Sequence, residues 1–415
     1  MKKYINVRLK GQKELVQIFV DQGIIQEIAE QIPIECETID LEGNLTIPPY
    51  VDPHIHLDYV FTANLGEENG SGTLFEGIQR WSESKDSMTV EEVKKRAVKG
   101  IQKEMLHGVQ CIRTHVDVTD PKQTSLKAML EVKEMFKDLV DLQIVAFPQE
   151  GMYAYQGGDE LVEEALKMGA DCVGGIPHYE LAREFGEKSI HKVVELAVKY
   201  DKLIDVHCDE TDDVQSRFLE LLNALVLMEG IGTKTAASHT CSFGSADNSY
   251  AFRMMKLLKN SGINFISCPT ENIYLQGRQD IYPKRRGLTR VKELNDHGIN
   301  VCFAQNSMSD PWYPLGNGNM MNILDHGIHI AQMMSPKENE NDLDLVTVNG
   351  AKTMNLTENY GIGIGKPANF IVLNAKTEFE AICERAGVLA SIRNGDYVFK
   401  KEPEKICHAA ALLEN

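Results

Sequence analysis

Residues 189–210 read SIHKVVELAVKYDKLIDVHCDE. The first twelve carry apolar side chains at helical spacing: Ile190, Val193, Val194 and Ala197 fall on one face. After Asp201-Lys202 comes a short apolar run, LIDVHC, that ends in polar residues. An amphipathic helix followed at once by a buried strand is part of a parallel β/α repeat. The pattern continues on both sides. Upstream, VQCIRTHVDV (109–118) precedes the helical SLKAMLEVKEMFKDL (125–139), and LQIVAFPQ (142–149) precedes DELVEEALKMG (159–169). DCVGGIP (171–177) then leads into the quoted stretch. Downstream, SRFLELLNALVLMEG (216–230), KTAASHT (234–240), AFRMMKLLKNSG (251–262), INFISCP (263–269), TRVKELNDHG (289–298) and INVCFAQN (299–306) keep the rhythm. About eight such units predict an α/β protein with a closed (β/α)8 TIM barrel over residues 49–364. An open doubly wound sheet is the rival architecture. It is weakened because no G-x-G-x-x-G follows the first of these strands.

The two ends read differently. YINVRL, LVQIFV, IIQEIAE and TIDLEGNLTIP, within residues 1–48, are short strand patterns punctuated by Gly11, Gly23 and Gly43. Near the other end come NFIVLNA and GVLASIRNGDYVFKK, in which Asn394-Gly395 is a hairpin signal. Residues 1–48 and 365–415 are therefore expected to form one small β-sandwich domain, and residues 49–364 the barrel.

The 415 residues include 43 Lys and Arg against 61 Asp and Glu, a formal net charge of −18. With 43% hydrophobic and 25% charged residues the chain can bury a large core. That excludes a disordered, collagen-like or small disulfide-stapled protein. The negative charge argues against a nucleic-acid partner, because neutralising phosphates takes clustered Lys and Arg. No run of about 18 uncharged apolar residues predicts a membrane span, and the N-terminus lacks the apolar core of a signal peptide. Nine Cys with no C-x-x-C pair read as free thiols in a reducing compartment. The expectation is a soluble, cytoplasmic protein acting on a small molecule.

His, Asp and Glu cluster where the barrel strands end, the face on which this architecture carries chemistry. His54 and His56, within PPYVDPHIHLD, are two residues apart and point to the same side of a strand. They suit one metal ion; a hydrogen-bonded core pair is the other reading. His207 ends a second strand and offers a third imidazole, with Glu210 in the turn above it. Glu210 reads as a proton shuttle or as a carboxylate favouring a helix N-terminus. Asp209 is a lesser rival. His239, at the end of KTAASHT, is a hydrogen-bond donor beside reacting water or a turn histidine. Gln149, in FPQEG, can pair with the amide-like edge of a ring, while Glu150 points away. Cys111, Cys172, Cys208 and Cys302 lie inside apolar strands and read as core residues.

PPYVDPHIHLD, RTHVDV, FPQEG, DVHCDETDDVQSRF, ASHT, NIYLQGRQDIYPKRRGLTRVKEL and DPWYPLGNGNM, in that order, resemble the cytosine deaminase branch of the amidohydrolase superfamily. The resemblance runs from about residue 45 to past 400. It implies a (β/α)8 barrel with a sandwich from both ends, one divalent ion per chain, zinc or iron, and a homo-oligomer. It implies His54, His56 and His207 as metal ligands, Glu210 as the shuttle to the ring, His239 beside the attacking water, Gln149 on the amide edge and Trp312 as a pocket wall. One position departs. The family's metal-binding aspartate, just before Asp-Pro-Trp, is Asn306 here, and the next position, often a second aspartate, is Ser307. Asn offers an oxygen to the metal but no basicity. An engineered Asp→Asn change, favoured by the intactness of the other positions, and a natural variant both fit. The implied reaction is hydrolytic deamination of a cyclic amidine. Cytosine is the default substrate, and creatinine, 5-methylcytosine and isocytosine are alternatives, since Ser307 opens room and Glu271 in SCPTENIYLQG adds a carboxylate. A non-catalytic ligand-binding barrel is the reading of another class. A two-metal dihydroorotase type is disfavoured, because no Lys stands in FPQEG or GGIPHYE.

Overall fold

The computed structural model describes residues 1–403; the last part of the 365–415 segment lies outside the described residues. The chain divides into two compact units, residues 1–49 with 359–415 and residues 50–358.

The first unit contains β1 (Lys2–Leu9), β2 (Val16–Asp21), β3 (Ile24–Ala29), β4 (Glu37–Asp40) and β5 (Leu45–Ile47). The barrel strands follow in the second unit: β6 (Tyr50–Ile55), β7 (Val109–Asp117), β8 (Asp141–Phe147), β9 (Cys172–Gly175), β10 (Leu203–Cys208), β11 (Thr235–His239), β12 (Asn264–Ser267) and β13 (Val301–Phe303). β14 (Phe370–Leu373), β15 (Val388–Arg393) and β16 (Asp396–Lys400) return to the first unit.

In the first unit the strand order is β16-β15-β14-β5-β1-β2-β3, with β4 also paired to β1. β1 belongs to both halves of the expected sandwich, pairing antiparallel with β2 and parallel with β4 and β5. Tyr4, Ile18, Ile25, Phe370 and Ile392 fill its core. Tyr4 meets Phe370 edge-on at 5.0 Å. β15 and β16 are joined by Asn394 and Gly395, both at positive φ (50° and 76°). That two-residue turn needs left-handed backbone twice, which Asn-Gly tolerates best.

The eight strands β6 to β13 pair in sequence order, every pair parallel. Strands buried on both faces read as near-continuous apolar runs, hence the pattern of LQIVAF and INFIS. β13 and β6 meet through one bridge, Ile55 to Asn306, rather than a ladder. Asn306 N donates to His54 O at 2.7 Å and His56 N to Asn306 O at 3.1 Å. The Asp52 carboxylate accepts from Gln305 N at 3.0 Å beside them. The (β/α)8 barrel expected from the sequence is thus closed at the point where three candidate site residues sit.

Candidate active site

At the barrel mouth the backbone leaves the strands through left-handed conformations at non-glycine residues. Asp209, His239, Thr240 and Asn306 have φ of 55°, 67°, 46° and 60°. Such backbone is uncommon outside glycine and concentrates at functional sites. At Asp209 it ends the shared face with His207. Its carboxylate instead accepts from Ser216 Oγ (2.6 Å) and from Phe218 N and Leu219 N (3.1 and 2.9 Å), at the start of the helix Phe218–Glu229. Glu150 points away from the site, to Lys85 and Ser82.

The imidazoles converge. His56 Nε2 lies 3.1 Å from His207 Nε2. The His54 ring centroid is 4.6 Å from His207, 5.3 Å from His56 and 4.8 Å from His239. All four rings are buried. Burial is the first cause holding each below the ordinary imidazole value, with neighbouring imidazoles adding to it; His239 falls to about 3. The rings are therefore neutral at physiological pH, the form that binds metal.

Two nitrogens about 2.1 Å from one ion at tetrahedral or octahedral angles stand about 3.0–3.4 Å apart, the spacing of His56 and His207. A single bridging proton would also give that spacing. It would leave His54 Nε2, His239 Nε2 and Asn306 Oδ1 unexplained, since these buried atoms have no hydrogen-bond partner among the described residues. Three buried groups gather donors within 4.8 Å: His54, His56 and His115; His54, His239 and Cys268; His207, Glu210 and His239. The donor set fits a metal ion, with nitrogen predominating and with Asn306 contributing no charge.

Residues outside the expected set hold it in place. Ser238 Oγ donates to Asp205 Oδ1 at 2.6 Å, so its other contact, His54 Nδ1 at 2.9 Å, must be the donor in that pair. That fixes the His54 tautomer and leaves Nε2 with its lone pair. Asp205 is itself held by Arg113 Nη1 at 2.9 Å, and Arg113 also donates to Gln143 Oε1 and Thr353 O. His115 stacks on His54 at 3.8 Å, with Nε2 3.4 Å from Asp205. Arg113, His115 and Asp117 alternate along RTHVD. Polar residues at every second position of a buried strand were the available signal, because buried charge must be paired.

Glu210 is buried, and desolvation lifts its carboxyl to about 8. Its Oε1 is 3.2 Å from His239 Nδ1 and 3.2 Å from Asn272 Nδ2. Ser307 Oγ donates to Glu271 Oε2 at 2.5 Å, so those two candidates are one unit. Burial and the Glu210 carboxylate push the Glu271 carboxyl well above its usual range. Gln149 is buried, and its Oε1 has no hydrogen-bond partner among the described residues. Trp312 packs on Tyr59 at 4.5 Å and donates to Leu74 O at 3.2 Å; Tyr59 stacks on His56 at 4.5 Å and meets Trp81 at 5.1 Å. Tyr59 and Trp81, which the sequence did not single out, join Trp312 in one buried aromatic cluster next to His56. Burial drives the Cys172 and Cys302 thiols up to about 12, so neither serves as a nucleophile. No helix among the described residues is long and apolar enough to cross a membrane.

The chain is similar to solved and curated proteins along its whole length. A crystal structure of 5-methylcytosine deaminase from Klebsiella pneumoniae, liganded with 5-fluorocytosine, is 52% identical with a TM-score of 0.96. The match covers 98% of this chain and 100% of that one. N-isopropylammelide isopropyl amidohydrolase of Pseudomonas sp. (strain ADP) is 31% identical, over 92% of this chain and 94% of that protein. Pterin deaminase of Rhizobium rhizogenes is 25% identical over 93% and 88%. The amidohydrolase family model matches residues 37–399, and the chain, with its histidine-lined barrel mouth, belongs to that family.

Proposed function

We propose that the chain is a metal-dependent hydrolytic deaminase of a cyclic amidine of the cytosine type, with 5-methylcytosine as its best-supported substrate. The observation that carries this reading is the pairing of a neutral-imidazole metal cluster with a buried, raised-pKa carboxyl, Glu210, that ends no barrel strand and stands beside the ligands. The 52% identity with a 5-methylcytosine deaminase over essentially the whole chain supports the choice of ring. So does Ser307, hydrogen-bonded to Glu271, because its side chain is smaller than the aspartate that the resemblance leads one to expect there.

In this reading His54, His56 and His207 hold one ion, zinc or iron, and Asn306 contributes its amide oxygen. The ion supplies Lewis acidity that draws a proton off water near neutral pH. Gln149 orients the ring by pairing with its amide edge. Trp312 and Tyr59 flank the pocket and exclude water. Glu210, protonated at pH 7, gives its proton to the ring nitrogen as the amine-bearing carbon is attacked. That nitrogen then carries no excess charge in the tetrahedral stage. His239 donates to the incoming oxygen. The exocyclic C–N bond breaks, the carbon becomes a carbonyl, and the nitrogen leaves as ammonia; of the two water protons, one restores the Glu210 carboxyl and the other leaves on the ammonia, with no redox change. Asn306 cannot carry the water's proton to the leaving nitrogen.

The test is ammonia release from 5-methylcytosine, cytosine and creatinine, with zinc- and iron-loaded protein, for this chain and for Asn306→Asp. Release from 5-methylcytosine exceeding that from cytosine is expected. Release from neither pyrimidine in either form would overturn the reading, and release from creatinine alone would transfer the activity to that ring.

A further inference from the structure

Asn272 belongs to the helix Pro269–Leu275 that follows β12, and it is fully buried. Its Oδ1 accepts from Cys268 N at 3.4 Å, which turns Nδ2 toward the site. The two Nδ2 hydrogens face two acceptors: Glu210 Oε1 at 3.2 Å and His239 Nδ1 at 3.1 Å. With Glu210 Oε1 and His239 Nδ1 themselves 3.2 Å apart, the three atoms form a nearly equilateral triangle. The other nitrogen of His239, Nε2, is buried and has no hydrogen-bond partner among the described residues. His239 stands in two of the three donor clusters, so distance alone does not say whether it is a ligand or a donor.

We infer that Asn272 is a positioning residue that decides this question: by donating to His239 Nδ1 it forces the ring proton onto Nε2, making His239 a hydrogen-bond donor to the reacting oxygen and barring it from the metal. The same amide holds Glu210 Oε1 beside the ring without letting Glu210 take the Nδ1 proton. One uncharged amide thus keeps the proton shuttle and the oxygen donor in separate roles. A carboxylate in its place would do the reverse. It would accept an Nδ1 proton and bare the Nε2 lone pair, the carboxylate–histidine–metal arrangement that strengthens a ligand. The kinetic arm of this inference rests on the deaminase reading; the ring-proton arm does not.

The experiment uses the zinc-loaded full chain with 15N-labelled histidine, the His239 signals being assigned with a His239→Gln variant. Ring two-bond couplings report which nitrogen bears the proton. The unmodified protein is expected to show Nε2–H. Asn272→Ala and Asn272→Asp are both expected to move the proton to Nδ1, toward Glu210 in the first and toward the new carboxylate in the second. Zinc release to a chelator should slow in Asn272→Asp. Turnover should fall about 10–100-fold in both variants, the range for partners that orient site residues, with KM little changed. If the alanine variant does not fold, the isosteric Asn272→Asp carries the test. Nδ1–H on His239 in the unmodified protein, or Nε2–H persisting in the variants, would overturn the inference. Failure of the unmodified protein and of Asn306→Asp to release ammonia would defeat the deaminase reading and leave the ring-proton result standing.

Discussion

At position 306 one atom separates two chemistries. Asn306 stands beside the candidate ligands, bridged to Ile55 and bonded to the backbone of both His54 and His56. Its side chain lacks charge and basicity. A positioned acid–base group contributes about 10²–10⁴-fold, or about 3–5 kcal/mol of barrier at 1.36 kcal/mol per decade. Asn306→Asp is accordingly expected to raise turnover by about that factor while changing substrate binding little, since Gln149 and Glu210 are untouched; paired calorimetry and steady-state rates check it. Equal rates would mean that a neighbouring carboxyl already serves. Asp310, three positions after Ser307, and Glu271 are the ones within the buried cluster. Glu210 makes a second residue-level prediction. Its carboxyl sits at about 8 because burial disfavours the anion. The proposed reaction uses the protonated form, so kcat/KM is expected to fall as pH rises through about 8. Glu210→Gln should remove turnover by about 10²–10⁴-fold with metal content unchanged. Metal lost in parallel would make Glu210 a ligand.

The helix Leu74–Lys85 shows what an element adds that single positions do not. Gly77, inside it, lies where a Cβ would come within 2.5 Å of the Trp312 ring. Trp312 is tied to the same helix through Leu74 O. In a helix interior Ala exceeds Gly by about 0.5–1 kcal/mol. Overpacking against a buried ring costs about 1–3 kcal/mol, so the clash wins. Gly77→Ala should therefore lower thermal stability and shift Trp312, seen as a raised KM; a stabilised variant with normal KM would show that the helix does not set the wall. This helix also explains what pattern reading reached and what it missed. The barrel was legible because both faces of its strands are apolar and its helices are not, and the hairpin because Asn394-Gly395 admits one kind of turn. His54, His56, His207, Glu210 and His239 were legible because each stands within two residues of the end of a barrel strand. Asn272, Ser238 and Asp205 were not, since each matters through a partner 33 to 184 positions away in the chain. Spacing along a sequence carries no trace of such pairs. Nothing in the sequence singled out Tyr59 and Trp81; the fold stacks Tyr59 on His56 and sets Trp81 against Tyr59.

Across the barrel unit, the buried site groups make stability depend on pH in a way no single residue predicts. The imidazoles of His54, His56, His115, His178, His207 and His239 are all held below 6.5 by burial. A base with a lowered folded pKa adds stability that is complete above its unfolded value, here 6.5, and is lost as pH falls below it. The carboxyls of Asp52, Asp58, Glu104, Glu210, Glu271 and Asp310 are pushed up by the same burial, Asp58 to about 7 and Glu210 to about 8. An acid with a raised folded pKa does the opposite: its contribution is complete below the unfolded value near 4 and is lost as pH rises toward the folded one. Each group changes stability by at most about 1.4 kcal/mol per pH unit. Between about pH 4.5 and 6.5 the two sets, similar in number, oppose and offset each other. Below that window the unfolded carboxyls are protonated and only the imidazoles still act, so stability falls steeply. Above it the unfolded imidazoles are neutral and only the carboxyls act, so stability falls again toward pH 8. Metal-free protein should thus show a plateau with losses on both sides when denaturant unfolding is followed against pH. Zinc added to the metal-free protein is expected to take the neutral imidazoles and add about 4 kcal/mol at a thousandfold excess over its Kd. It should lift the alkaline side most, because protons no longer compete there, and so move the optimum upward. A metal-free stability that climbs from pH 4.5 to 6.5 and then stays level to pH 8 would mean that the imidazoles dominate and that the buried carboxyls are ionised in the folded barrel, and Glu210 could not then act as the acid.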